Sequence, residues 1–193
     1  FLGVLFGLYT AAVVYALGSF LEERFPHEET PFYTAFFSSA GVEEAVKFLF
    51  LFFLIWGNRN FNEPLDGIVY GVFVSLGFAW AENVIYVTHP ILGGYETALE
   101  RALLSVPGHG LFGVRMGYYF ALGKYRSRKR YLPLAFFSPY LAHALYNYFL
   151  LKREPVFWLF FSVLEVRLWV FGLKRIKELQ NCSPFREKVS KES

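Results

Sequence analysis

Residues 32–56 read FYTAFFSSAGVEEAVKFLFLFFLIW, a stretch that is apolar at both ends and carries Glu43, Glu44 and Lys47 in its middle. At 1.5 Å of rise per residue this length crosses a hydrocarbon core of about 30 Å. An ionised side chain near the bilayer centre costs about 2.5–3.5 kcal/mol on insertion scales. The three charges must therefore face one another or a water-filled space inside a bundle. Lys47 follows the two glutamates by four and three positions, which puts it on their helix face as a counter-ion.

Working outward, five more apolar segments lie near 2–20, 65–88, 107–123, 131–151 and 155–173. The chain has 193 residues, 55% hydrophobic and 21% aromatic, against an expectation of about 45–50% apolar for a soluble domain. The fold class is all-α: a polytopic transmembrane helix bundle of about six spans in one domain, 1–173, with a basic polar tail, 174–193. Leu2–Phe20 reads as a first span, because it lacks the basic leader of a signal peptide.

The loops orient the bundle. Glu22, Glu23, Glu28 and Glu29 mark the loop 21–31, and Lys124, Arg126, Arg128, Lys129 and Arg130 the loop 123–131. Arg59 and the tail residues Lys174, Arg175, Lys177, Arg186, Lys188 and Lys191 join the second group, whereas the opposite side holds Arg24, Lys152 and Arg153. By the positive-inside rule both ends of the chain are cytoplasmic. Cys182 is the only cysteine, which excludes a disulfide framework and a cysteine metal site.

Residues 96–106 place Leu99, Leu103 and Val106 on one face and Glu96, Glu100 and Arg101 on the other, as in a short interfacial helix before the fourth span. Pro107-Gly108-His109-Gly110 is expected to break the chain there, leaving His109 near a helix start. Gly67, Gly71, Ser75 and Ala79 recur every fourth residue, as do Gly113 and Gly117, and both stripes read as close-packing faces.

Further charges lie inside the apolar segments. Glu165 and Arg167 read as an internal salt bridge that fixes helix register, and Arg115 as similarly structural. A second set converges: Glu43 and Glu44, Glu82, His109, and His143 with Asn147 occupy four segments at matched depth. His143 and Asn147 share a helix face. Two histidines and three carboxylates at one depth point to a functional site in a bundle core.

These residues also form motifs: Glu43-Glu44-x-x-Lys47, Phe78-x-x-x-Glu82-Asn83, His109-x-x-x-Gly113 and His143-x-x-x-Asn147. In that order the set resembles the PrsW family of intramembrane peptidases, related to CAAX prenyl endopeptidases and bacteriocin-processing enzymes. The chain departs from the CAAX-type pattern in having Lys47 three positions after the pair and Glu82 where that branch has histidine; both are PrsW-branch features. The resemblance implies a multi-pass protein of a prokaryotic plasma membrane that cleaves a membrane-anchored protein. It implies no nucleic-acid partner.

For such chemistry Glu43 or Glu44 is expected to activate water, with Glu82 and His109 assisting and His143 and Asn147 offering hydrogen bonds to the oxyanion. Lys47, Asn83 and Gly113 are supporting residues. Close carboxylates in a bundle cannot all ionise, so one is expected to hold a proton. No cofactor is preferred, since Lys47 supplies positive charge. Catalytic zinc on His109, His143, Glu43 and Glu82 is the alternative. Ser38, Ser39, Ser75 and Ser105 lack a histidine partner in the pattern, which argues against a serine nucleophile. A proton-coupled transporter or sensor would call for an inverted repeat, and the sequence shows no convincing one.

Overall fold

The computed structural model describes residues 2–24, 30–88, 93–126 and 130–185. Glu28, Glu29, Arg128, Lys129 and the tail residues Arg186, Lys188 and Lys191 lie outside them. Within the described residues the chain is helical without strands: α1 (Leu2–Arg24), α2 (Pro31–Tyr33), a π-helical segment π1 (Thr34–Gly41), α3 (Val42–Ile55), α4 (Pro64–Thr88), α5 (Tyr95–Glu100), a second π-helical segment π2 (Arg101–Ser105), α6 (Val106–Tyr125), α7 (Tyr131–Lys152) and α8 (Pro155–Asn181). Each apolar segment of the sequence is occupied by helix. Two of them, Pro64–Thr88 and Pro155–Asn181, pass a test of length and apolarity for crossing a membrane. Phe53, Phe73, Leu159 and Leu173 point outward at 62–75% exposure, a surface suited to lipid rather than water.

The core is a seam between α4 and α6, which share the largest interface. Gly67 and Gly71 lie directly on Gly117 and Gly113: a methyl group added at Gly71 would meet the Gly113 carbonyl, and one at Gly117 the Gly67 carbonyl. The two small-residue stripes thus face each other at backbone contact. Around the end of this seam next to the α3–α4 loop Leu51, Phe61, Met116 and Phe120 form a buried apolar cluster. Lys124 Nζ closes the α3–α4 loop by donating to the carbonyls of Trp56 and Phe61 at 3.1 and 3.0 Å.

Three expectations change. First, Pro107 does not break the chain: α5, π2 and α6 form one helical run, with His109 well inside it. Proline cannot donate to the carbonyl one turn back, and the wider π turn absorbs the mismatch, Val106 N–H donating to the Arg101 carbonyl five residues earlier. Second, α8 continues through Lys174 to Asn181, where a polar tail was expected. Glu178 holds that extension to α6 by accepting from the Tyr118 hydroxyl at 3.2 Å, while Arg175, one turn earlier on α8, donates to the same carboxylate at 2.5 Å. Likewise α1 runs to Arg24, so Glu22 and Glu23 belong to a helix rather than a loop.

Third, Glu165 and Arg167 are not an ion pair. Two residues apart, they leave the helix on different sides. Glu165 accepts from the Trp169 indole N–H at 3.0 Å, and Arg167 is exposed. Arg115 donates to Ser138 Oγ at 3.0 and 2.8 Å and lies over the Phe171 ring.

Candidate active site

Glu43 and Glu44 lie in the first turn of α3, directly after π1, and Lys47 follows one turn later on the same buried face. The Lys47 side chain is completely buried. Its ammonium donates to Glu44 Oε1 at 2.8 Å, to Glu43 Oε2 at 3.3 Å and to His109 Nδ1 at 3.0 Å. An ammonium has three N–H groups and no acceptor, so all three are used. It also sits 4.3 Å above the Phe78 ring. The counter-ion role read from the sequence is the observed one.

Lys47 fixes the histidine beside it. Because an ammonium can only donate, His109 Nδ1 accepts, and its proton is on Nε2, which donates to Glu82 Oε2 at 3.1 Å. Opposite, His143 Nδ1 contacts Glu44 Oε1 at 2.9 Å, and Asn147 Nδ2 approaches His143 Nε2 at 3.1 Å. The amide donor leaves Nε2 as acceptor and puts the proton of His143 on Nδ1. Asn147 Nδ2 also donates to Ser39 Oγ at 2.9 Å, and that hydroxyl donates to Glu43 Oε1 at 2.9 Å. The six residues singled out in the sequence, with Lys47, therefore form one hydrogen-bonded network drawn from α3, α4, α6 and α7.

Two residues of the network escaped the sequence reading. Ser39 was weighed only as a nucleophile, yet it bridges Glu43 and Asn147. Arg101 was assigned to the solvent face of the interfacial helix, yet it pairs with Glu82 at 2.8 Å and with Asn83 Oδ1 at 2.6 Å. Asn83 is thus a partner of Arg101. Gly113 acts in the seam, where an added methyl group would meet the Gly71 carbonyl.

Among the described residues two cavities reach the network. One, of about 380 Å³, is lined by Arg101, His109, His143 and Asn147. The other, of about 260 Å³, lies toward α1 and is lined by Gly18, Phe78 and Glu43. Thr34, Ser39, Glu82 and Tyr86 border both. Glu44 is fully enclosed and lines neither.

The donor set bears on a metal. One atom from each of Glu43, Glu44, His109 and His143 lies within 4.8 Å of the others. Two imidazoles and two carboxylates are donors that zinc accepts. Glu44 stands in this set where Glu82 was expected, because Glu82 is held by His109 and Arg101. The same space, however, already contains a cation, the Lys47 ammonium, at 2.8–3.3 Å from three of the four residues. As arranged, the residues do not fit a dication in addition to Lys47.

The family model described as PrsW family intramembrane metalloprotease matches residues 1–172. A protein named Protease PrsW from Geobacillus kaustophilus HTA426 is 40% identical over 152 residues, 77% of this chain and 65% of the relative. Protease PrsW of Oceanobacillus iheyensis HTE831 is 39% identical over 178 residues, 91% of this chain and 79% of its own. Protease PrsW of Bacillus subtilis 168 is 37% identical over 154 residues, 78% and 68% of the two chains. No solved structure matches the chain. Because the matched span contains every residue of the buried Glu–Lys–His network, and the relatives align across most of this chain, the chain belongs to the PrsW family.

Proposed function

We propose that this protein is an intramembrane endopeptidase that hydrolyses a peptide bond of a membrane-anchored protein, using water activated by Glu43. The observation that carries the reading is the network around Lys47, a completely buried ammonium holding two carboxylates and a histidine beside a cavity. A purely structural ion pair has no need of such an opening. The bundle has about six spans in this reading, with the C-terminus cytoplasmic.

Glu43 is the base rather than Glu44, since it alone of the pair borders a cavity. It removes a proton from a water held near Glu82 and His109. The water oxygen bonds to the peptide carbon, and the carbonyl becomes an oxyanion. Asn147 exchanges one of its present partners for that oxygen, a neutral donor near developing charge. His143, whose N–H points to Glu44, keeps Glu44 and Asn147 in place. When the C–N bond breaks, Glu43 returns its proton to the leaving amine. Lys47 keeps the carboxylate side chains in line throughout.

The donor set within 4.8 Å and the family's description as metalloproteases favour a second reading, in which zinc replaces the Lys47 ammonium among Glu43, Glu44, His109 and His143. There it would polarise the carbonyl or lower the pKa of water. The transporter alternative is set aside, since the matched family is one of proteases.

Cleavage of a single-span reporter in proteoliposomes tests the proposal. Wild-type protein shown by elemental analysis to lack zinc is expected to cleave, and Glu43→Gln is expected to lose roughly 10²–10⁴-fold in rate. Full activity of Glu43→Gln at equal expression would overturn the glutamate mechanism. Loss on chelation with recovery on added zinc would select the metal-dependent one.

A further inference from the structure

Arg101 lies eight residues before His109, on the π2 segment, and no motif includes it. Its side chain is 16% exposed. The guanidinium Nη2 donates to Glu82 Oε2 at 2.8 Å and to Ser105 Oγ at 3.1 Å, while Nε donates to Asn83 Oδ1 at 2.6 Å. Its Cζ lies over the Tyr86 ring, 4.1 Å from the centroid. Three successive features of α4 (Glu82, Asn83 and Tyr86) thus grip one planar group from a different helical run. A guanidinium is suited to this by its fixed fork and stacking face, and a lysine is not.

We propose that Arg101 is a positioning residue for the reaction, acting through Glu82 on His109. The inference rests on the peptidase reading of the site. Glu82 Oε2 is the oxygen shared by Arg101 and His109. A carboxylate hung on two methylene groups samples several rotamers unless something holds it. Arg101 holds it with its acceptor oxygen toward His109 Nε2, which keeps the His109 proton on that nitrogen and Nδ1 facing Lys47. The line Arg101–Glu82–His109–Lys47 then continues to Glu43, the base. Arg101 also lines the 380 Å³ cavity. Its Nε and Nη2 are turned to α4 and to Ser105, so the loss of these bonds is expected to fall on turnover more than on substrate binding.

The π2 segment suits this task. Arg101 begins the π turn and Ser105 ends it, and their side chains are joined. The wide turn brings the guanidinium to α4 while α6 continues toward His109. Pro107, whose missing N–H the wide turn accommodates, and Arg101, which begins that turn, belong to one arrangement.

The test measures kcat and KM for reporter cleavage in Arg101→Gln, Arg101→Lys, Glu82→Gln and the Arg101→Gln/Glu82→Gln double variant, with Glu43→Gln as a control. Arg101→Gln is expected to lower kcat by about 10–100-fold, the scale of a misplaced catalytic group, with KM within about threefold. Arg101→Lys keeps the charge and should recover part of that loss. The double variant should be little worse than Glu82→Gln alone, because both changes break one line. Wild-type kcat in Arg101→Gln, a change confined to KM, or fully multiplicative losses in the double variant would each overturn the proposal. Thermal unfolding of each variant in detergent separates misfolding from mispositioning, and Tyr86→Leu, which removes the stacking face alone, should give a smaller loss of kcat in the same direction. If Glu43→Gln is inactive while Arg101→Gln is normal, this inference fails alone. If Glu43→Gln is fully active, the glutamate mechanism fails; if the wild-type protein does not cleave the reporter, the peptidase reading itself fails.

Discussion

Lys47 is held by three acceptors, so its loss exposes two carboxylates to each other without a counter-charge. Lys47→Met keeps the length and the burial. It is expected to destabilise the protein by about 3–5 kcal/mol, as breaking a buried ion pair does, read as a lowered unfolding temperature and lowered yield. A second expectation concerns Asn147. Asn147→Ala removes the amide donor facing the 380 Å³ cavity, and turnover should fall by about 10²–10³-fold with KM nearly intact. Wild-type turnover would remove Asn147 from the oxyanion site. The Glu43–Lys47 contact was legible because residues four apart share a helix face. Arg101 was not, since its partners are 18 and 19 residues away on another helix and no spacing rule links them. Nor could the sequence say which glutamate meets the cavity, as adjacent residues differ only by about 100° of rotation around the axis.

At the scale of elements, α4 and α6 touch backbone to backbone, and Glu82 on one must meet His109 on the other. A methyl group at Gly117 would overlap the Gly67 carbonyl, so Gly117→Ala has to part the helices. A separation of about 1 Å is expected to cost on the order of 10²-fold in kcat. Gly57→Ala, in the α3–α4 loop, is the control: an added methyl group there meets nothing within 4 Å, and activity should be unchanged. Equal activity in both variants would show that the seam does not set the site. The stripes themselves were readable as four-residue repeats of small residues. The π segments were not. Nothing in Thr34–Gly41 demands a wide turn by residue type. Pro107 announced a missing donor, but a break and a widened turn both relieve it, and only the surrounding packing decides between them.

For the whole molecule, orientation is the open expectation. Cys182 is exposed at the end of α8, and the positive-inside rule predicts a cytoplasmic position for it. A membrane-impermeant thiol reagent should label it only after intact cells are opened. Labelling of sealed cells would invert the bundle and put the site on the other half of the bilayer. Composition and run length made the helical membrane class plain, because lipid demands long apolar helices and little else does. How the helices face one another depended on contacts between distant segments. One of those contacts changes what chain length means here. Along π1 and α3 the inward positions Ala35, Ala40, Glu44, Lys47 and Leu51 are spaced five, four, three and four residues apart. The first interval is one residue longer than an ordinary α-helical turn allows on a single face. Removing one residue between Ala35 and Ala40 would turn that interval into four and let an α-helix keep the same inward line. A single-residue deletion elsewhere in α3 swings everything before it by about 100°; here it would change only the gauge of the turn, so related chains can gain or lose a residue at this point without rotating the glutamate pair.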